Sequence, residues 1–265
     1  MQLASVFDPL SARAAADLGF EAAFLAGSVA ALAVLGAPDL NLLTMSEFAD
    51  LARRICRSNG PPLLVDADEG YGNALNVRRT VEELAAAGVA GLTLEDTILP
   101  RRFDESAGMT SIVEAERKLA AALEARPDPD FVVIARTSAL LQSGLDAACA
   151  RTAAYAAAGV DGIFVVGVRT VAELTAIHEA AGGTPVLAYA MGEIGPDADL
   201  AAMGVRLLIM GHAPFAQATN AAYRALATQL GQEPDPATPH DLVARLSEAA
   251  TYLDRTRRLL NRGDR

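Results

Sequence analysis

The sequence predicts an α/β fold, a (β/α)8 barrel of the TIM type with an additional C-terminal helix, and three observations predict it. A glycine-centred phrase recurs at Leu18 to Gly27, Ala87 to Asp96, Ala158 to Gly167 and Met203 to Gly211. Each copy reads as the end of an alanine-rich helix, a glycine free to take the left-handed conformation that stops it, and a short apolar run. Further apolar runs occupy Leu3 to Phe7, Leu63 to Asp66, Phe131 to Ala135 and Pro185 to Tyr189. Runs that are apolar at nearly every position suit strands buried on both faces of a parallel sheet. Eight strand and helix units in about 250 residues match the barrel. A doubly wound open sheet is the runner-up, but no Gly-x-Gly-x-x-Gly follows an early strand.

In chain order, the strands are expected near residues 3, 22, 63, 91, 131, 162, 185 and 206. The uncharged stretch Ala22 to Pro38, between Glu21 and Asp39, is shorter than the roughly 20 residues of a membrane span and reads as a buried strand and helix turn. Helices are expected at Asn76 to Ala87, Ser111 to Ala125 and Leu145 to Ala158. Thr97 to Thr110, with Pro100, Arg101, Arg102, Asp104, Glu105 and Gly108, has no periodicity and falls at the barrel end where enzymes keep lids. Residues 1–230 thus form the catalytic barrel. Residues 231–265 are a linker with three prolines between Gly231 and Pro239, then a polar helix, Asp241 to Leu260, able to pack on its own barrel or on a neighbouring subunit.

Composition narrows the function. The formal charge is -11 and the isoelectric point about 4.7, which argues against electrostatic capture of nucleic acid or an anionic membrane. Cys56 and Cys149 have neither metal nor disulfide spacing and read as small buried residues of a reduced, cytoplasmic protein. Met1 to Arg13 lacks the basic region and apolar run of a signal peptide.

In such a barrel the chemistry sits where strands end. The polar residues there are Asp8, Ser28, Asp66 with Asp68, Glu95 with Asp96, Arg136 with Thr137, Tyr189 and His212. Asp66 and Asp68, two apart, are expected to point the same way, and Glu95 adds a third carboxylate. Such acids either cap the following helices or share a cation, and oxygen ligands suit Mg²⁺ or Mn²⁺. Arg136 cannot lose its charge and needs an anion, either Glu95 or a substrate. The Gly27 and Ser28 turn offers amides and a hydroxyl to a carboxylate or phosphate. Tyr189 and His212, taken singly, are residue types that more often serve structure than catalysis.

Four strings, Ala4 to Asp8, Leu25 to Ser28, Val65 to Asn73 and Leu94 to Asp96, resemble the isocitrate lyase and phosphoenolpyruvate mutase superfamily over nearly the whole chain. Within it the sequence is most similar to the oxaloacetate decarboxylase branch, through Ser5 to Ser11, Gly72 to Val77, Ile134 to Thr137, Tyr189, Gly211 and His212. The resemblance implies a Mg²⁺-dependent barrel, usually a tetramer that exchanges its C-terminal helices. It implies Asp66 as direct metal ligand, with Asp39, Asp68 and Glu95 holding metal-bound water. Gly27, Ser28, Arg136 and His212 would bind a 2-oxo acid. Tyr189, His212 and Arg136 would be catalytic, losing CO₂ from oxaloacetate through an enolate to give pyruvate.

Departures from the superfamily narrow the activity. No lid cysteine lies between Thr97 and Thr110, which disfavours the isocitrate lyases, and the lid lysine and asparagine of the mutases are missing there. Glu69 stands where the decarboxylases have His, and Ala190 and Met191 stand where they have Gly and Asn. These changes leave two other readings: a related lyase or hydrolase for a substituted malate or phosphonopyruvate, and a non-catalytic protein that binds a 2-oxo acid or oxalate.

Overall fold

All eight expected strands form. The computed structural model describes residues 1–105, 108–189, 194 and 199–261. The strands are β1 (Gln2–Ser5), β2 (Ala22–Leu25), β3 (Leu63–Asp66), β4 (Gly91–Glu95), β5 (Val132–Thr137), β6 (Gly162–Val165), β7 (Val186–Tyr189) and β8 (Val205–Ile209). Neighbours in sequence are parallel neighbours in space, and β1 closes the barrel on β8. The four recurring glycines do stop their helices, with φ of 84° at Gly19, 90° at Gly88, 87° at Gly159 and 76° at Gly204.

The barrel is filled rather than open. Phe24, Leu64, Ile134, Phe164, Leu187 and Ile209 pack together inside it, and full burial of such side chains contributes about 1.5–3 kcal/mol each. A larger apolar layer, including Leu25, Phe48, Leu84, Leu119, Ile163 and Leu174, joins the sheet to the helices. Asp66, Glu95 and Arg136 lie at or next to the C-terminal ends of their strands.

Expected and observed helices agree within a turn: Ala74–Ala86, Ile112–Ala125 and Leu145–Ala157. Four expectations need correction. First, β5 extends through Thr137, so Arg136 lies within the strand rather than after it. Second, β8 is not buried on both faces: Arg206 is exposed and Leu207 and Leu208 are half-buried. Among the described residues no helix intervenes between β7 and β8 to cover that side. Third, the single C-terminal helix is two, Pro239–Leu246 and Ala249–Leu260, broken where Ser247 is buried and Glu248 turns left-handed at φ 55°. Fourth, Cys56 and Cys149 are half-buried rather than buried. No described helix is long and apolar enough to cross a membrane.

Asp8 is a helix cap. Its carboxylate accepts from the Ser11 amide at 2.7 Å, and the Ser11 hydroxyl accepts from the Asp8 amide at 3.0 Å. Asp66, Asp68 and Glu95 cap no helix, so the two uses of strand-end acids separate here. Replacing Asp8 with alanine should cost about 1 kcal/mol, lowering Tm by roughly 2–4 °C without lowering turnover. A thermal melt beside an activity assay checks this, and lost activity at an unchanged Tm would contradict it.

Candidate active site

The C-terminal ends of the strands surround a cavity of about 420 Å³. Six residues named from sequence line it: Ser28, Asp39, Asp66, Arg136, Tyr189 and His212. The sheet register assembles its charged corner. Asp66 on β3 pairs with Thr93 on β4, and Glu95 on β4 pairs with Arg136 on β5, so three adjacent strands present their ionic residues side by side.

Arg136 sits between the acids. Its Nη1 donates to Asp66 Oδ2 at 2.6 Å, and its Nε lies 3.1 Å from Glu95 Oε2. The second contact is an ion pair misaligned for a hydrogen bond, and Nε has no hydrogen-bond partner among the described residues. The guanidinium also lies 5.7 Å from the Phe164 ring centre. Burial opposes its charge, and Asp66 and then Glu95 more than restore it, so its pKa is raised. The neighbouring carboxylate is therefore its anion in this structure, through Asp66 as well as the expected Glu95.

Asp68 joins the cluster by a different route from strand alternation. β3 ends at Asp66, and Asp68 adopts φ 47° in the turn beyond it. A Cβ on Gly27 would lie 3.3 Å from Asp68 Oδ1, which places this acid against the start of the helix after β2. Burial, reinforced by Asp66, Asp39, Glu95 and Glu69, pushes the Asp68 pKa up to about 8. Burial likewise raises Glu95 to about 7 against the pull of Arg136. Asp39 is also raised, by burial and then by Asp66. Gly27, Asp68 and Glu95 adjoin residues that line the cavity without being among them.

Gly27 and Ser28 are not a free turn. They open the helix Gly27–Leu35, whose N-cap, Ala26, has no side chain to bond the first amides. An uncapped helix N-terminus facing a cavity suits an anion. Across the mouth, Ser5 Oγ and His212 Nδ1 are 3.0 Å apart, which fixes the ring and leaves Nε2 with no protein partner among the described residues. Burial lowers the His212 pKa, an effect that Asp66 partly opposes and Arg136 adds to. Tyr189 lies edge-on to His212, ring centres 5.9 Å apart, with its own pKa raised by burial. Gly211, at φ 91°, leaves room for the phenol: a Cβ there would be 3.1 Å from Tyr189 Oη.

Three supporting residues, Thr93, Arg151 and Tyr155, carry no signal in the sequence, whereas Asp96 and Thr137 are among its polar strand-end residues. Thr93 donates to Asp66 Oδ1 at 3.1 Å. Asp96 Oδ2 accepts from Thr137, Arg151 and Tyr155 at 2.8, 2.8 and 2.7 Å, while Arg151 also donates to the Thr110 carbonyl. This network ties β4, β5 and the root of the 97–110 segment to the helix Leu145–Ala157. Arg151 and Tyr155 are four apart, a helical spacing that alone gives no reason to single them out. No described residue of 97–110 lines the cavity; the Asp104 amide instead donates to Leu260 at 2.8 Å and Arg101 to Asn261 at 2.7 Å. Glu69 is buried, its pKa raised by burial and eased by Lys118. Ala190 and Met191 lie outside the described residues.

The phosphoenolpyruvate phosphomutase family profile matches residues 1–230. The chain belongs to that family. It is 52% identical over 225 residues to an oxaloacetate decarboxylase of Rhodopseudomonas palustris (strain BisA53), covering 84% of this chain and 78% of that protein. Among solved structures, phosphonopyruvate hydrolase in complex with oxalate and Mg²⁺ is 29% identical with a TM-score of 0.76, covering 98% of this chain and 93% of that one. Oxaloacetate acetylhydrolase in complex with the inhibitor 3,3-difluorooxalacetate is 29% identical with a TM-score of 0.75, covering 99% and 93%.

The raised carboxylates of this family member set a pH test. Asp68 and Glu95 hold protons in the folded state that the unfolded chain loses near pH 4. Their contribution to stability is complete below that pH and is lost as pH rises towards about 8. In metal-free buffer, wild type should lose Tm relative to Asp68→Asn between pH 5 and 8. Parallel Tm curves for the two proteins would show that Asp68 carries no such charge cost.

Proposed function

We propose that the protein is a Mg²⁺-dependent carboxy-lyase that converts oxaloacetate, or a close 2-oxo diacid, to pyruvate and CO₂. The observation that carries this reading is the single cavity in which Ser28, Asp39, Asp66 and Arg136 meet Tyr189 and His212, in a chain half identical to an oxaloacetate decarboxylase.

The donor set fits Mg²⁺. The ion favours hard carboxylate oxygens, usually through one or two of them, and keeps several waters. Asp66 retains free lone pairs beside its bonds to Thr93 and Arg136, and Asp39, Asp68 and Glu95 are acids whose raised pKa values mark charge awaiting a cation. Among the described residues no three acidic, histidine or cysteine side chains form a closed cage. One direct ligand, Asp66, with Asp39, Asp68 and Glu95 on bound water, requires none. Bound there, the ion would supply Lewis-acid polarisation of the substrate's carboxylate and keto oxygens; Mn²⁺ satisfies the same donors.

The protein's own groups do the rest. The amides of Gly27 and Ser28 and the Ser28 hydroxyl hold the carboxylate next to the keto group. The C3–C4 bond breaks, its electron pair moves into a C2–C3 double bond, and the keto oxygen takes the negative charge as CO₂ departs. Arg136, fixed by Asp66 and Glu95, is a permanent positive charge for that oxyanion. Tyr189 or His212 then gives a proton to C3, and pyruvate results.

Purified protein with Mg²⁺ should release pyruvate from oxaloacetate faster than the uncatalysed rate, and a chelator should abolish the release. Asp66→Ala should be inactive, and Arg136→Gln should lose about 10²- to 10³-fold in kcat. Oxaloacetate disappearing only at the uncatalysed rate would overturn the assignment. A panel of substituted malates and phosphonopyruvate would then reveal a related lyase or hydrolase, and metal-dependent oxalate binding without turnover would reveal a binding protein.

We also read residues 1–230 as the catalytic barrel and 231–265 as its assembly element in a cytoplasmic homotetramer. Support comes from the helix Ala249–Leu260, which has no buried residue and leaves Leu253 and Leu259 half exposed. Analytical ultracentrifugation should give a tetramer, and Leu253→Glu with Leu259→Glu should shift it to smaller species. A monomeric wild type would contradict the assembly.

A further inference from the structure

The cavity that binds the 2-oxo acid end has a second arginine at its rim, Arg169, beyond the end of β6. Three basic side chains line this cavity among the described residues: Arg136, His212 and Arg169. Arg136 is committed to Asp66 at 2.6 Å and Glu95 at 3.1 Å. His212 is held by Ser5, and burial favours its neutral form. Arg169 is exposed, and its guanidinium has no ion-pair partner among the described residues.

The nearest acid does not use it up. Glu173 senses the charge of Arg169, but its Oε2 accepts from the backbone amides of Arg169 and Thr170 at 2.8 and 3.0 Å, closing the cap of the helix Val171–Ala180. The same cavity has an apolar wall that includes Phe164, Val165, Val166 and Val168. A carboxylate lying along such a wall loses water without compensation unless a cation meets it. A 2-oxo monoacid has no such group, whereas a 2-oxo diacid does.

We infer that Arg169 is the specificity-determining residue of this site, pairing with the distal carboxylate of a 2-oxo diacid and selecting diacids over monoacids. The inference rests on the reading of the cavity as a 2-oxo acid site. For a decarboxylation it has a kinetic consequence. The distal carboxylate loses its charge as CO₂ forms, so the ion pair favours the bound substrate at least as much as the transition state. Arg169 therefore contributes to KM and not to kcat.

The test compares wild type, Arg169→Gln and Arg169→Lys with Mg²⁺ present, using calorimetry with two probes. Oxalate fills only the floor of the site, and 3,3-difluorooxaloacetate also carries the distal carboxylate. Losing one charge-assisted hydrogen bond should weaken the difluoro probe about 10- to 100-fold in Arg169→Gln, leave oxalate within about twofold, and be partly restored in Arg169→Lys. On oxaloacetate, KM should rise in Arg169→Gln while kcat holds or increases. Equal binding of the difluoro probe by wild type and Arg169→Gln would overturn the inference, as would parallel weakening of both probes or no binding of the difluoro probe to wild type. Selective weakening of the difluoro probe, in a wild type that does not turn over oxaloacetate, would uphold Arg169 and overturn the decarboxylase reading alone.

Discussion

Gathering Asp39, Asp66, Asp68 and Glu95 at one end of a barrel around a single embedded guanidinium is the constraint on which the rest of the site depends. Two like charges about 4 Å apart near a protein surface repel by about 4 kcal/mol at an effective dielectric of 20. A helix cap such as Asp8 contributes about 1 kcal/mol. Repulsion on that scale exceeds what local capping can offset, and it adds to burial, the larger cause, in the upward shifts of Asp68 and Glu95. Arg136 neutralises part of the cluster through Asp66 and Glu95. The remaining surplus of negative charge is where the proposed divalent cation would sit.

Backbone geometry makes that arrangement tolerable. The pairings of Asp66 with Thr93 and of Glu95 with Arg136 come from strand register, so neither acid depends on a long flexible side chain for its position. Behind them the Asp96 carboxylate gathers Thr137, Arg151 and Tyr155, while the Asp96 amide donates to the Arg136 carbonyl at 3.2 Å. A network this buried holds the ends of β4 and β5 at fixed separation. In the proposed reaction Arg136 would then meet the developing oxyanion without first reorganising, and preorganisation is what gives such groups their catalytic effect.

The barrel was legible because its signal is repeated: four glycine stops and eight apolar runs each mean the same thing, and all four glycines adopt the left-handed conformation. Asp66, Glu95 and Arg136 were legible for a related reason, since a charged residue ending an apolar run has few other places to go. Asp68 was placed in the right cluster by an inexact argument, because the chain leaves extended geometry before reaching it. Asp39 was suggested only by family resemblance, since it lies in a loop with no periodicity to mark it. Thr93, Arg151 and Tyr155 escaped notice because their roles depend on contacts between distant segments. The break at Glu248 escaped for another reason, as neither glycine nor proline announces it.

The acid surplus poses a separate problem for any anionic substrate, which the whole molecule repels at long range. Salt screens that repulsion beyond roughly 8–10 Å, so capture falls to groups within the cavity. Ala26 is informative here. A serine or aspartate at that N-cap would stabilise the helix by about 1 kcal/mol, but its oxygen would occupy the amides that Gly27 and Ser28 offer. Alanine leaves them open. With Arg136 held between two acids, the proposed function leaves the positive field at the floor of the site to the helix terminus and a cation, and at the rim to Arg169. The two ends of the cavity thus match a ligand with a carboxylate at each end.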